Sequence, residues 1–208
     1  VKLIVDKNYS QIHNKPDANG HFDGNAAIES RNSTINTQAD IELNNDGSNA
    51  IESQETSTIN SSNHQITMNG ENNGAYTLFG KDIVNIKNVT ITGNKDLQSV
   101  FDIGNDRTEE QIIDAKKLNA TVNDKSVFMN LHDSGTQTVT LSDSKIKAGY
   151  GLHAVPFGDE HTVTLNLHNT ELNTTRALIS INDPNFPVDE EDEEEIDANA
   201  ASTFHLHL

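Results

Sequence analysis

The chain of 208 residues contains no cysteine and no tryptophan, and only 5% of it is aromatic. Without cysteine, no disulfide bond can hold the fold together. An exported protein that crosses compartments unfolded would avoid disulfides, but many cytosolic proteins also lack cysteine. Hydrophobic residues amount to 33%, too few for a thick globular core. They nevertheless occur in short alternating runs, which disordered chains lack, so the composition favours a fold with a thin core.

Basic residues are also scarce. The chain has 14 Lys and Arg but 32 Asp and Glu, so its net charge is −18. Binding to a phosphate backbone needs cationic side chains that release counterions. Nucleic acid and anionic membrane surfaces are therefore excluded as expected partners. No long apolar run is present, so we expect no membrane insertion of this segment.

Two stretches are almost identical, since residues 27–36 read AIESRNSTIN and residues 50–60 read AIESQETSTIN. We expect the additional residue of the second copy, Glu55 or its neighbour, in a turn, because turns tolerate insertions and strand registers do not. Looser copies follow at steps of about 23 to 27 residues. The predicted starting points are Ala27, Ala50, Ala75, Val100, Val127, Leu152 and Leu178.

Within these segments the apolar residues alternate with polar ones, which is typical of strands with one buried face. Val84 and Ile86 are expected to face inward, with Asn85 and Lys87 outward. Inward residues should stack on their equivalents one repeat away. The predicted stacks join Val139 and Leu141 to Val163 and Leu165, and these to Phe204 and Leu206.

Short strands repeating every two dozen residues predict an all-β solenoid in which each coil stacks on the previous one. A leucine-rich repeat is set aside because its consensus is missing. A β-sandwich would not give near-identical repeats. We predict one domain over residues 1–208, a right-handed parallel β-helix of about seven to eight coils.

Two insertions are expected in this β-helix. The first lies near residues 105–117, where Ile112 and Ile113 could anchor one or two helical turns within 107–117. The second, residues 183–201, carries two prolines and a run of acids that argue against a strand. We therefore expect residues 183–201 to form a protruding acidic loop.

Several Asn- and Thr-rich segments resemble the passenger domains of Gram-negative autotransporters, the pertactin-like β-helical group. They are INSSNHQITMNG (59–70), VNIKNVTITGN (84–94) and HTVTLNLHNTELNT (161–174). The resemblance implies a secreted protein or one displayed at the bacterial cell surface, acting as an adhesin or self-associating protein. Because the chain lacks a translocator barrel, we expect it to be a fragment of a longer passenger.

The strongest local feature is the acidic run. It could dock a basic partner or bind calcium, although the ligand spacing of an EF-hand loop is missing. It could also be a solvated, self-repelling loop. The acidic candidates for ligand binding are Asp189, Glu190, Glu191, Asp192, Glu193, Glu194, Glu195 and Asp197.

The outward faces of the strands supply a second group of candidates, because a rigid repeat presents polar side chains at little ordering cost. These candidate ligand-binding residues are Asn85, Lys87, Thr140, Ser142, Thr164 and Asn166.

Metal and catalytic sites are not expected. His205 and His207 alternate with leucines and could chelate a metal from the outward face, but no third ligand is placed. Cleavage of polysaccharides would need paired carboxylates on adjacent coils. Asp102 lies in a predicted strand without such a partner. We thus predict no cofactor apart from calcium at the acidic loop.

The sequence therefore favours an adhesin that binds itself on neighbouring cells, giving aggregation and biofilm, or a host glycan or matrix protein. The negative charge opposes self-association unless the pairing face is poor in charge. The alternative is a β-helical polysaccharide lyase or hydrolase.

Overall fold

The computed structural model describes residues 2–5, 26–104, 109–132, 135–154, 161–181 and 202–207. Every regular element within these ranges is a strand, and they contain no helix that could cross a membrane. The strands are β1 (Lys2–Val5), β2 (Ala26–Arg31), β3 (Thr34–Thr37), β4 (Asp40–Leu43), β5 (Asn49–Gln54), β6 (Thr58–Met68), β7 (Gly74–Leu78), β8 (Ile83–Gly93), β9 (Ser99–Ile103), β10 (Glu109–Thr121), β11 (Val127–Leu131), β12 (Gly135–Ser142), β13 (Lys145–Ala154), β14 (His161–His168), β15 (Glu171–Ile181) and β16 (Ser202–His207).

The described strands form a parallel β-solenoid of about five turns. Each strand pairs in parallel with its equivalents in the turns before and after it. Three faces result. The first contains β2, β5, β7, β9, β11 and the ends of β13 and β15. The second contains β3, the starts of β6, β8 and β10, then β12, β14 and β16. The third contains β1, β4, the ends of β6, β8 and β10, and the starts of β13 and β15.

The core is a set of apolar columns that run along the solenoid, one residue from each turn. Val84, Ile86, Val89 and Ile91 are all buried, as the alternation in β8 predicts. On the first face the aromatic rings of consecutive turns stack. The ring centroids of Tyr76 and Phe101 lie 5.4 Å apart, and those of Phe101 and Phe128 are also 5.4 Å apart in an edge-on contact. A few aliphatic and aromatic residues per turn thus suffice to fill the interior.

Left-handed residues turn the chain from the second face to the third. Asn63, Asn88, Lys117, Asp143 and Asn169 occupy equivalent positions in successive turns, and all have φ between 46° and 55°. Asparagine and aspartate tolerate this conformation better than other non-glycine residues. Their amides also join the turns, because Asn88 Nδ2 donates to Asn63 Oδ1 at 3.0 Å and Asn169 Nδ2 donates to Asp143 Oδ1 at 2.8 Å.

A polar ladder runs inside the corner between the first and second faces. The fully buried Asp82 accepts hydrogen bonds from the Ser53 hydroxyl at 2.5 Å and from the Ser57 N–H at 2.9 Å. In the following turns Gln137 Nε2 donates to Gln111 Oε1 at 2.9 Å. Buried polar groups left without partners are costly, so these bonds favour one register over its neighbours.

The near-identical copies are neighbouring turns, and the extra residue lies in a turn as predicted. Arg31 pairs with Gln54, and Thr34 pairs with Thr58. Between these two pairs the first copy advances by three residues and the second by four. Glu55 falls in this gap and adopts φ 74°. The strands on either side keep their register.

Two of the predicted repeat positions are wrong by one residue. The equivalents of Val100 are Phe128 and Gly151, because Met129 pairs with both Phe101 and Leu152. The starting points Val127 and Leu152 therefore lie one position out of register. Strands such as β11 are buried on both sides and read as continuous apolar runs, so alternation cannot fix their phase.

The predicted stacking of Val139 on Val163 is also wrong, by two residues. Val139 pairs with Leu165 and Leu141 with Leu167, whereas Val163 pairs with the buried Gln137. The expected pairs Val163 with Phe204 and Leu165 with Leu206 are confirmed. A shift of two keeps the same face inward, so the pattern alone cannot detect it.

The helical turns expected within residues 107–117 are wrong for residues 109–117, which belong to β10 and pair with β8 and β12. The longer coil is nevertheless visible in the register. Leu78 pairs with Ile103, and Ile83 pairs with Ile112. The chain advances by five residues from Leu78 to Ile83 but by nine from Ile103 to Ile112, so the later turn is longer by four residues. Between those matched positions, residues 105–108 lie outside the described ranges.

Three predictions on the fold stay open. Residues 183–201, expected as an acidic loop, lie outside the described residues. The count of seven to eight coils and the right-handed sense also stay predictions.

Replacing Phe101 by alanine should lower the free energy of unfolding by about 3 to 5 kcal/mol, because its buried ring contacts those of two neighbouring turns. Phe79 is 46% exposed, and Phe79→Ala should change stability by about 1 kcal/mol or less. Urea unfolding followed by circular dichroism compares the two. Equal losses would contradict this description of the core.

Replacing Lys117 by asparagine should stabilise the protein by roughly 0.5 to 1 kcal/mol, because lysine is the poorest left-handed residue in its corner column. Lys116→Asn removes the same charge from an adjacent strand position and serves as the control. Only the change at position 117 should raise the unfolding midpoint.

Candidate functional site

The six outward residues predicted for ligand binding all lie on the second face, in three adjacent columns. Thr164 belongs to the first column, Asn85, Thr140 and Asn166 to the middle one, and Lys87 and Ser142 to the third. The described columns are Thr34–Thr58–Ile83–Ile112–Thr138–Thr164–His205, Asn36–Asn60–Asn85–Asp114–Thr140–Asn166–His207 and Ser62–Lys87–Lys116–Ser142–His168.

Hydrogen bonds between turns hold the amides of the middle column in place. Asn85 Nδ2 donates to Asn60 Oδ1 at 2.8 Å, and Asn60 Nδ2 donates to Asn36 Oδ1 at 2.9 Å. An amide has two N–H donors and two acceptor lone pairs. The middle member, Asn60, therefore keeps one donor and one acceptor for a ligand, in an orientation fixed beforehand.

The second face is poor in charge compared with the whole chain. Among the described residues of the three columns, the charged side chains other than histidine are Asp114, Lys87 and Lys116. Glu110, exposed at the start of β10 on the same face, adds a second negative group, so these four side chains balance on a protein of net charge −18. Contact between two such faces therefore adds little charge repulsion of its own.

Two isoleucines in the first column are exposed. Ile83 and Ile112 pair across neighbouring turns and are 44% and 39% exposed. The sequence prediction missed them as binding candidates, although the inward position of Val84 already requires that Ile83 point outward. An apolar centre with a polar surround is the usual composition of a protein interface.

The first face carries a cluster that the sequence prediction also missed. Asn130 pairs with Asp102 in the preceding turn, and His132 follows directly after β11. His132 Nε2 lies 2.8 Å from Asp102 Oδ1, and Asn130 Nδ2 lies 3.1 Å from Asp102 Oδ1 and 2.7 Å from His132 Nε2. The in-register neighbours of Asp102 are Thr77 and Asn130, neither of which carries a carboxylate.

The surroundings of Asp102 favour its ionised form. Partial burial raises the pKa of a carboxyl, but the charge of His132 and the hydrogen bonds from His132 and Asn130 outweigh it, so the pKa of Asp102 lies below its ordinary value. Its side chain is 28% exposed and that of His132 is 40% exposed. A small ligand in solution can therefore reach this pair.

The histidines divide between surface and interior. His205 and His207 are exposed, as their alternation with leucine predicts. His64 and His153 are buried. Burial lowers the pKa of His64, and a backbone hydrogen bond at Gln65 and the charge of Asp40 oppose this. His64 Nε2 lies 2.5 Å from the Ser61 hydroxyl, which contacts the Tyr76 hydroxyl at 2.6 Å.

Other parts of the described surface offer little. A shallow groove lies at the corner between the second and third faces, beside the ion pair of Lys145 and Glu171. No group of three or more His, Asp or Glu side chains within the described ranges is arranged to hold a metal ion. The acidic candidates at 189–197 lie outside the described residues.

Comparison with known proteins gives no relative. No protein-family model, curated protein or solved structure matches the chain.

Replacing His132 by glutamine should raise the pKa of Asp102, because the neighbouring positive charge is lost. The pKa of Asp102 is lower in the folded than in the unfolded chain. Ionisation therefore stabilises the fold above about pH 4, and this contribution disappears as the pH falls through the folded pKa. Carboxyl carbon NMR titration of the wild type and H132Q measures the shift, and H168Q is the control. An unchanged Asp102 titration in H132Q would contradict the assignment.

Proposed function

We propose that this protein is a bacterial cell-surface adhesin that associates with copies of itself through the second face. The supporting observation is the composition of that face, an exposed pair of isoleucines with fixed amides and hydroxyls on one side and the Lys81–Glu110 ion pair on the other. Display at the cell surface is proposed from the resemblance of the Asn- and Thr-rich turns to autotransporter passengers.

Several finer features belong to the same proposal. The solenoid is right-handed, has seven to eight coils in all, and carries residues 183–201 as a protruding acidic loop. This loop is the proposed docking site for a basic partner, such as a host matrix protein. A host glycan is the other candidate ligand of the second face.

The chemistry of the second face favours association of two copies over ligand capture by charge. Two amide ladders that meet face to face can exchange donors and acceptors, because each amide carries both. The isoleucine pair supplies apolar area that contact removes from water. The balanced charges of this face limit the repulsion that a net charge of −18 produces elsewhere.

Polysaccharide cleavage is the less favoured alternative. One observation supports it, the solvent-accessible pair of Asp102 and His132. Hydrolysis of a glycosidic bond needs two carboxyl groups on either side of that bond. Thr77 and Asn130 occupy the positions next to Asp102, so adjacent turns supply no second carboxylate.

Display of the chain on a non-aggregating bacterial strain should make the cells settle together. The double variant Ile83→Glu/Ile112→Glu should abolish settling, because it places two charges at the centre of the proposed interface. The double variant Thr90→Glu/Asn119→Glu adds the same two charges to the same two strands, on the third face. It should settle like the wild type. Turbidity and mixing with a differently labelled strain measure the effect.

Dispersed wild-type cells would exclude self-association under those conditions. Equal settling of both double variants would exclude the second face as the contact. In either case, binding of the purified protein to immobilised matrix proteins and glycans becomes the next measurement.

A further inference from the structure

In the described orientation of the Asn130 amide, no protonation state of His132 satisfies all three contacts of the cluster on the first face. The three atoms Asp102 Oδ1, His132 Nε2 and Asn130 Nδ2 form a triangle with sides of 2.8, 2.7 and 3.1 Å. If Nε2 carries a proton, it donates to Asp102 but its N–H then opposes the N–H groups of Asn130. If Nε2 has a lone pair, it accepts from Asn130 but faces the carboxylate oxygen of Asp102.

The orientation of the Asn130 amide is not held from its other end. In the orientation described, Asn130 Oδ1 is buried and has no hydrogen-bond partner. The two ends of an amide are nearly isosteric, so a half turn would place Oδ1 in the triangle. With a proton, His132 Nε2 then donates to the two oxygens; without one, the two oxygens and the nitrogen lie together as three electron-pair donors.

Such a triangle has the dimensions of one face of a metal coordination shell. Zn²⁺ and similar ions bind imidazole nitrogen and carboxylate oxygen at about 2.0 to 2.2 Å. Adjacent ligands of an octahedral ion with bonds of that length lie roughly 3.0 Å apart. The three separations in the cluster bracket this value.

We propose that Asp102, Asn130 and His132 bind a divalent transition-metal cation. The imidazole favours an ion such as Zn²⁺ or Mn²⁺ over Ca²⁺, which takes oxygen ligands. The cation removes the conflict between the three groups, because all of them then act as electron-pair donors. Three protein ligands on a partly exposed site leave further coordination positions to water or to a ligand carboxylate.

Titration of the purified chain with ZnCl₂ and with MnCl₂, followed by calorimetry, tests the proposal. All proteins carry His205→Gln and His207→Gln, so that this exposed pair cannot supply the signal. We expect one equivalent of metal to bind, and His132→Gln or Asp102→Asn to weaken the affinity by about tenfold or more. His168→Gln removes an exposed imidazole from the second face and should leave the affinity unchanged.

The variant Asn130→Asp provides a second test that does not depend on the stability of His132→Gln and Asp102→Asn. A second carboxylate beside Asp102 should lower the unfolding temperature without metal, and metal should restore it by roughly 5 °C or more. A purely structural role for Asn130 predicts the loss without the restoration. Absence of binding to the parent protein, or equal binding by His132→Gln, would overturn the proposal.

Discussion

The parallel stacking of one turn on the next is the constraint on which the rest of this structure depends. Backbone hydrogen bonds set the spacing between turns at roughly 4.8 Å. Every side chain then lies directly against the side chain at the equivalent position one turn away, so residues at equivalent positions form columns. Inward columns become the core, corner columns become the left-handed turns, and outward columns become binding surfaces. A protein with only 33% hydrophobic residues can fold this way, because each turn has to fill only a thin layer.

The same stacking determines what polar residues do. On the second face, it turns three asparagines into a ladder in which the middle amide, Asn60, keeps one donor and one acceptor for a ligand. Inside the corner it satisfies Asp82 and Gln111 through neighbouring turns. On the first face it brings Asp102 and Asn130 into register beside His132, where the amide orientation described sets Asn130 Nδ2 against a protonated His132 Nε2. A polar column therefore stabilises the fold where side chains of neighbouring turns are hydrogen-bond partners, and it is a candidate binding site where they are not.

The sequence predicted the parallel solenoid and the outward direction of the six candidates on the second face, because repetition and alternation are local properties. It did not give their columns, since β12 and β14 pair two residues away from the predicted register. It could not fix the phase of β11 and β13, where apolar residues occur on both sides of the strand. It misread residues 109–117, because the pairing of Ile113 with Val84 is a contact between turns. His132 was missed for a related reason, since it lies thirty residues from Asp102 in the chain. The acidic residues 189–197 lie outside the described ranges, and their role stays a prediction.

The spacing of contacts along the chain has a consequence for folding. The ladders join residues about one turn apart, such as Asn60 with Asn85 at a separation of 25. A new turn therefore finds its complete set of partners as soon as the preceding turn is in place, and it needs nothing from more distant parts of the chain. A completed end can template the next turn, so folding can proceed directionally along the chain.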